Sequence, residues 1–365
     1  MSVYTTLARP LIFQFDAEST HNAAIGFCQL MGWAEPIVAP FYRHRNPLLE
    51  TELCGIRFNN PVGLAAGFDK SGEAVKLLSA FGFGHLEIGS ISAELSDGNP
   101  APRLWRLPDD NAIIVHYGLP NDGAETVARR LEKLKLSVPL GINLVKTNKG
   151  PDTGVESPDD IIQDYVKSAD QLKDRGQYLT LNLSCPNTED GRDFFSEKTH
   201  IVQCLEALST LKLNCPVFLK ISPLGGIEAI ERVLEAVDCF DLVSGFIFNL
   251  APTKPDVLKT PKHLWHNLPG AVSGPPCEAQ MNLCIKEMYR RMDRKRFHII
   301  GAGGISSADE AYTKIKLGAS LVQLLTAMIY QGPGVVKNIN KGLAERLRSD
   351  GLKRAADAVG AENPT

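Results

Sequence analysis

No apolar run in this chain reaches the roughly 18 residues that a membrane-spanning helix needs. The longest, Ala319–Tyr330, is broken by Ser320, Gln323 and Thr326, so no transmembrane helix is expected. Charge of one sign is also lacking. Lys and Arg number 39 against 42 Asp and Glu, a net charge of −3, which argues against a dedicated nucleic-acid binder. The cysteines, at 28, 54, 185, 204, 215, 239, 277 and 284, form no CxxC pair, and no His/Cys cluster has zinc spacing. They read as free thiols in a reducing compartment. Pro10 and Asp16 interrupt the stretch where a signal peptide would need an unbroken apolar core, so no secretion signal is expected. What is present is a 44% hydrophobic content over 365 residues. That excludes a mainly disordered chain and suits one large α/β domain with a small appendage, or two medium domains.

From residue 61 on, short apolar runs alternate with amphipathic stretches. The expected strands are Val62–Gly67, His85–Ser90, Leu140–Val145, Tyr178–Ser184, Val217–Ser222, Gly245–Leu250, Phe297–Gly301 and Ala319–Leu325. They are almost continuously apolar and bounded by Gly, Pro or Asn, as parallel strands buried on both faces are. Helical patterns fill the gaps, among them Gly72–Phe81, Pro158–Arg175 behind Ser157, and Ser306–Leu317. This alternation predicts a (β/α)8 TIM barrel more than an open doubly wound sheet. The long gaps Ile91–Pro139 and Ala251–Arg296 require insertions in βα loops.

The first 48 residues differ. They read as two short helices without a strand. Val3, Leu7 and Leu11 share one helical face, and a second stretch from Ser19 carries Ala23, Ala24, Phe27, Leu30 and Met31. Such a segment could cap one end of the barrel. It could equally form an apolar platform for a membrane surface or a lipid-like ligand.

In a barrel, the C-terminal ends of the strands face the active site. Those ends carry Ala66, Gly67 and Lys70, then Ser90, Asn143, Asn182 with Cys185 and Asn187, Lys220, Asn249, Gly301–Gly304 and Thr326. Amides and lysines closing apolar strands suit a neutral or anionic heterocycle and do not suit a metal. Each Asn alone could be a turn former or a cap; their common location is what points to a site. The glycines after the seventh strand, with serines opening the next helix, suit a phosphate. A phosphate beside a flat ring held by amides suggests FMN, with Lys220 near the ring to stabilise the reduced form.

These residues resemble the dihydroorotate dehydrogenase family, in its membrane-associated, quinone-linked class 2. The resemblance is carried by Asn60–Gly72, Gly82-Phe83-Gly84 with Glu87-Ile88-Gly89, Gly98-Asn99-Pro100, Pro102–Leu107, Asn182–Thr188 and Gly318–Gln323. Phe13–Asp16 with Glu18 and His21 is similar to the class 2 extension. The resemblance implies an FMN-dependent oxidation of dihydroorotate to orotate in pyrimidine biosynthesis, with electrons leaving to a quinone. It implies flavin contacts at Ala66, Gly67, Ser90, Asn143, Asn182, Lys220, Gly274, Gly304 and Thr326. Substrate contacts would be Lys70, Asn182, Asn187 and Asn249, with His21 and Arg106 at the quinone end. Residues 1–48 would then be the helical extension for membrane and quinone access, and 49–365 the FMN-binding barrel. The protein is expected at a membrane as a peripheral protein, on the inner face of a bacterial cell membrane or on the mitochondrial inner membrane. On this reading, loss of the extension should abolish quinone reduction and leave flavin reduction by substrate intact.

Several positions depart from the pattern. Where class 2 has a serine base, this chain has Cys185, as class 1 does; a thiol is a competent base if its pKa is lowered. The substrate loop, Val115-His116-Tyr117-Gly118-Leu119-Pro120 before Asn121, has Val115 where the family has a substrate-binding Asn. Leu250 follows Asn249 where the family has Thr, and Leu325 stands where a tyrosine precedes Thr326. A paralogous FMN oxidoreductase acting on a less polar substrate is therefore the alternative. A catalytically silent flavin-binding protein would have no use for Cys185, Lys70 and Lys220.

Overall fold

The computed structural model describes residues 2–150, 156–184 and 194–363. Eight parallel strands close into a barrel: β1 (Val62–Leu64), β2 (His85–Ile91), β3 (Leu140–Leu144), β4 (Tyr178–Asn182), β5 (Val217–Ile221), β6 (Val243–Phe248), β7 (His298–Ala302) and β8 (Leu321–Leu324). β8 pairs with β1, Gln323 opposite Gly63, and completes the ring. Each strand lies where an apolar run predicts one, because helices cover its outer face and the barrel core fills its inner face. β3, β4 and β5 are buried along their whole length.

The interior is filled by large rings set against glycines. A Cβ on Gly63 would fall 2.1 Å from the His85 ring, and one on Gly141 would fall 2.0 Å from the Tyr178 ring. Below them Phe58, Tyr178, Phe218, Ile247, Ile300 and Leu321 pack with Leu53. Leu53 and Phe58 come from an antiparallel hairpin, Thr51–Leu53 with Ile56–Phe58, which the sequence reading did not foresee. It plugs the N-terminal end of the barrel.

The two long gaps do hold insertions. Together they build a three-stranded antiparallel sheet, Ala271–Ser273, Ala112–Val115 and Leu104–Leu107. The helix expected at Gly72–Phe81 is shorter, a turn at Val75–Leu78 followed by a 3-10 turn. The cause is local: the Asp69 carboxylate accepts from the backbone N–H of Glu73 (2.9 Å) and Ala74 (2.8 Å), which fixes a turn there. The start at Ser157 is as expected, with Ser157 and Asp160 forming a capping box. The seven described cysteines are free.

The N-terminal segment has a π-helical turn at Tyr4–Ala8, a short helical turn at Arg9–Ile12, helix α1 (Ala17–Leu30) and helix α2 (Glu35–Tyr42). Asp16 caps α1 by accepting from Ser19 N–H at 2.8 Å. Its inward side packs on the inserted sheet and on the chain after β8: Phe13 meets Tyr330 edge-on at 5.3 Å, and Tyr4 donates to Ile329 O at 2.6 Å. Its outward side is apolar. Val3, Leu7, Leu11, Phe15, Phe27, Leu30, Trp33, Ile37 and Phe41 are all exposed, nine of the fifteen exposed large hydrophobics among the described residues. No described helix is long and apolar enough to cross a membrane.

Candidate active site

Two adjoining cavities open at the C-terminal end of the barrel. The larger, about 310 Å3, is lined by Ala66, Lys220, Asn249, Ser273, Gly274, Gly303, Gly304 and Thr326, with Tyr330 and Gln331 behind. Its floor is backbone. Gly303 and Gly304 have φ of 84° and 78°, and Gly274 has φ of 123°. A Cβ on Gly304 would lie 2.6 Å from Glu278 Cβ, so only glycine lets the loop pass the helix Glu278–Arg291 this closely. The hydroxyls of Ser273 and Thr326 lie 2.8 Å apart. This is a cradle of glycine backbone and hydroxyl groups, the donor set that binds phosphate.

The second cavity, about 140 Å3, shares Ala66, Lys220, Asn249, Leu250, Ser273 and Leu325 with the first. It adds Gly67, Lys70, Ser90 and Asn182, and reaches His21 on α1. One side is polar. The other is aliphatic, formed by Leu104, Ile113, Val115, Leu119, Pro120 and Ile329. Val115 and Leu250 both line this cavity, so the two sequence departures fall on its wall.

The polar side is a directed chain. Glu87, fully buried in β2, accepts from Asn143 Nδ2 at 2.9 Å. Asn143 Oδ1 therefore faces the other way and accepts from Ser90 Oγ at 2.5 Å. Ser90 Oγ accepts from Asn182 Nδ2 at 3.0 Å, and Asn182 Oδ1 accepts from Asn249 Nδ2 at 3.0 Å. Asn249 Nδ2 also donates to Ser184 O at 2.8 Å, and its Oδ1 accepts from Leu250 N–H at 2.9 Å. A carboxylate only accepts, so Glu87 sets the direction of every amide after it. Glu87 also accepts from Gln323 Nε2 (2.9 Å), Tyr178 Oη (3.2 Å) and Thr180 Oγ1 (3.3 Å).

At the far end, Lys70 Nζ lies 3.0 Å from His21 Nε2 and 4.0 Å from the centre of the Tyr117 ring. Burial brings the Lys70 ammonium down to about 8. Burial first, and the Lys70 charge second, hold His21 near 3, so its ring is neutral. Tyr117 Oη is buried with no hydrogen-bond partner among the described residues.

Most of the expected site residues thus converge. Ala66, Gly67, Lys70, Ser90, Asn182, Lys220, Asn249, Gly274, Gly304 and Thr326 line one or both cavities. Asn143 lines neither; it is fully buried and acts on the site through Ser90. His21 lines the smaller cavity, whereas Arg106 lies outside both. The Arg106 guanidinium sits over the Phe13 ring at 4.5 Å and donates to Phe15 O at 2.8 Å. Cys185 and Asn187 fall outside the described residues. The sequence reading missed Glu87, Tyr117 and Ser273 as site residues. For Glu87 a signal existed, a carboxylate between Leu86 and Ile88 in a buried strand.

The chain matches the family model described as dihydroorotate dehydrogenase over residues 48–347. It is 36% identical over 360 residues to the dihydroorotate dehydrogenase (quinone) of Halobacterium salinarum, covering 98% of this chain and 99% of the relative. It is 35% identical over 361 residues to the protein of that name from Mycolicibacterium smegmatis, covering 98% and 99%. The crystal structure of DHODH from Eimeria tenella in complex with ferulenol superposes with a TM-score of 0.81 at 28% identity, covering 96% of each chain. With the closed barrel and its cradle, these likenesses place the chain: it belongs to the dihydroorotate dehydrogenase family, in the quinone-linked branch.

Proposed function

We propose that this protein oxidises dihydroorotate to orotate with bound FMN and passes the electrons to a quinone. One observation carries the reading. The phosphate cradle, the amide chain and the Lys70 ammonium lie in sequence across two adjoining cavities, and the second cavity opens toward the N-terminal segment.

The residues present fit FMN. Gly274, Gly303, Gly304, Ser273 and Thr326 would hold the phosphate, and Ala66, Gly67, Ser90, Asn182 and Lys220 would hold the ring, with Asn143 holding Ser90 from behind. FMN supplies the hydride acceptor that no side chain can provide. The chain's own residues do the rest. Asn182 and Asn249 hold the polar edge of the substrate ring, with Asn187 beside them in the family pattern. Lys70 meets its carboxylate. Cys185 is the base that takes a proton from a ring carbon at Sγ. The aliphatic wall of Val115, Leu119, Pro120 and Leu250 excludes water from the reacting edge.

The acceptor side is the N-terminal segment, 1–48, which packs on the barrel unit of 49–365. Nine exposed apolar side chains suit the interface of a membrane, where a quinone is dissolved. Peripheral association with a membrane, at the inner face of a bacterial cell membrane or on the mitochondrial inner membrane, follows from this reading. His21 and Arg106 are the polar groups at that end.

Anaerobic mixing of the FMN-loaded protein with dihydroorotate tests the proposal. Rapid loss of the oxidised flavin absorption, recovered on adding a quinone, is the expected result. A flavin bleached only by other donors would replace this substrate with a different one.

A further inference from the structure

Helix α1 belongs to the N-terminal segment, yet its side chains reach into the donor side of the site. His21 Nε2 lies 3.0 Å from Lys70 Nζ. An ammonium has only donors, so Nε2 accepts and the ring proton sits on Nδ1. Lys70 Nζ also lies over the Tyr117 ring at 4.0 Å. Three residues before His21, Glu18 pairs with Arg103 at 2.8 Å. Arg103 approaches the same Tyr117 ring at 5.5 Å and donates to Asp97 O (2.6 Å) and Asn99 O (2.7 Å). Two cations thus face Tyr117, and each is fixed by a side chain of α1. His21, Lys70 and Tyr117 line the cavity that Asn182 and Asn249 line.

We propose that α1 serves the donor half-reaction: His21 is a positioning residue that accepts from Lys70 and holds its ammonium over Tyr117, ready for the substrate carboxylate. This rests on the reading of Lys70 as the carboxylate-binding residue. Lysine carries a flexible four-carbon stem, and a ligand that must order it loses affinity. With His21 in place the stem is already ordered before the substrate arrives. The sequence reading gave this segment to the acceptor half-reaction alone; the His21–Lys70 bond joins it to both.

The test uses the full-length, FMN-loaded protein and the variants His21→Ala, His21→Gln and His21→Asn. Gln places an acceptor near the position of Nε2; Asn is one methylene too short. Anaerobic flavin reduction is followed against dihydroorotate concentration. For His21→Ala the half-saturating concentration should rise about tenfold, the upper end for ordering one long side chain, with the limiting rate within about threefold. His21→Gln should recover most of the affinity and His21→Asn should follow Ala. A loosened fold would lower flavin content and rate in all three alike. A half-saturating concentration within about twofold of wild type in His21→Ala would overturn the proposal. Limited acetylation of Lys70 with acetic anhydride, mapped by mass spectrometry, gives a reading independent of substrate. Labelling should rise in His21→Ala and return to the wild-type level in His21→Gln. Unchanged labelling in His21→Ala overturns the positioning role. If dihydroorotate does not bleach the wild-type flavin, the proposed function fails, and the labelling alone decides whether His21 positions Lys70. If His21→Ala does not fold, the contrast between Gln and Asn carries both readouts.

Discussion

Replacing Glu87 by Gln removes one acceptor oxygen from the centre of the barrel and keeps the shape. Glu87 accepts from Asn143 on Oε1 and from Tyr178, Thr180 and Gln323 on Oε2. Glutamine has one oxygen. Turned toward the three donors, it points its NH2 at Asn143 Nδ2, donor against donor. Flipping Asn143 relieves this only by turning Nδ2 toward Ser90 Oγ, which takes the Oδ1 acceptor away from the Ser90 O–H. The mismatch travels along the chain until some group in the site is unpaired. One hydrogen bond to a charged group, about 1.5–3 kcal/mol, is lost, and three more fall by about 1–1.5 kcal/mol each to neutral strength; the sum is about 4–8 kcal/mol. Urea unfolding followed by circular dichroism should show this as a lower midpoint at unchanged slope. Adding Asn143→Asp returns an acceptor to the partner position, so the double variant should recover at least about 1 kcal/mol relative to additivity. If Glu87→Gln unfolds within about 0.5 kcal/mol of wild type, Glu87 does not set the direction of the amides.

Cys185→Ala should bind FMN and fold, while flavin reduction by dihydroorotate falls about 10²–10⁴-fold and Cys185→Ser recovers part of it; a loss under about threefold by stopped-flow would remove Cys185 as the base. Because burial holds Lys70 near 8, against the opposing pull of Glu18, Asp69 and Glu73, its ammonium persists below that pH and is lost above it. The half-saturating dihydroorotate concentration should therefore be flat up to about pH 8 and rise toward tenfold per unit beyond. Val115→Asn returns a hydrogen-bonding group to the aliphatic wall and should tighten dihydroorotate by about 1–3 kcal/mol in a flavin-reduction titration. No gain in affinity would show that the substrate's polar edge faces the other wall.

All eight barrel strands were legible in the sequence, because strands buried on both faces are written as continuous apolar runs between breakers. The inserted sheet was not. Leu104–Leu107 and Ala271–Ser273 are three or four residues long, too short for a period to show. Helix α2 was hidden by Pro36 and Pro40, which sit at its start and inside it. The strand ends named most of the site, since a barrel gathers them by construction. What stayed illegible depended on direction and distance. Nothing local says that the amine of Lys70 finds a histidine 49 residues earlier, or that Arg106 turns to Phe13 and away from the cavity.

The closing contacts of this fold join the two ends of the chain. β1 receives β8, and Tyr4 donates to Ile329, 325 residues away. A ribosome adding about 5–20 residues per second needs roughly 16–65 s to cover that span. For most of that time the first strand has an open edge, and Phe13 waits for Tyr330. The nine outward apolar side chains are exposed throughout. Nascent chains stopped before Leu321 cannot close the ring, so the emerging N-terminal segment is the part of this protein most in need of a chaperone or a membrane surface during synthesis.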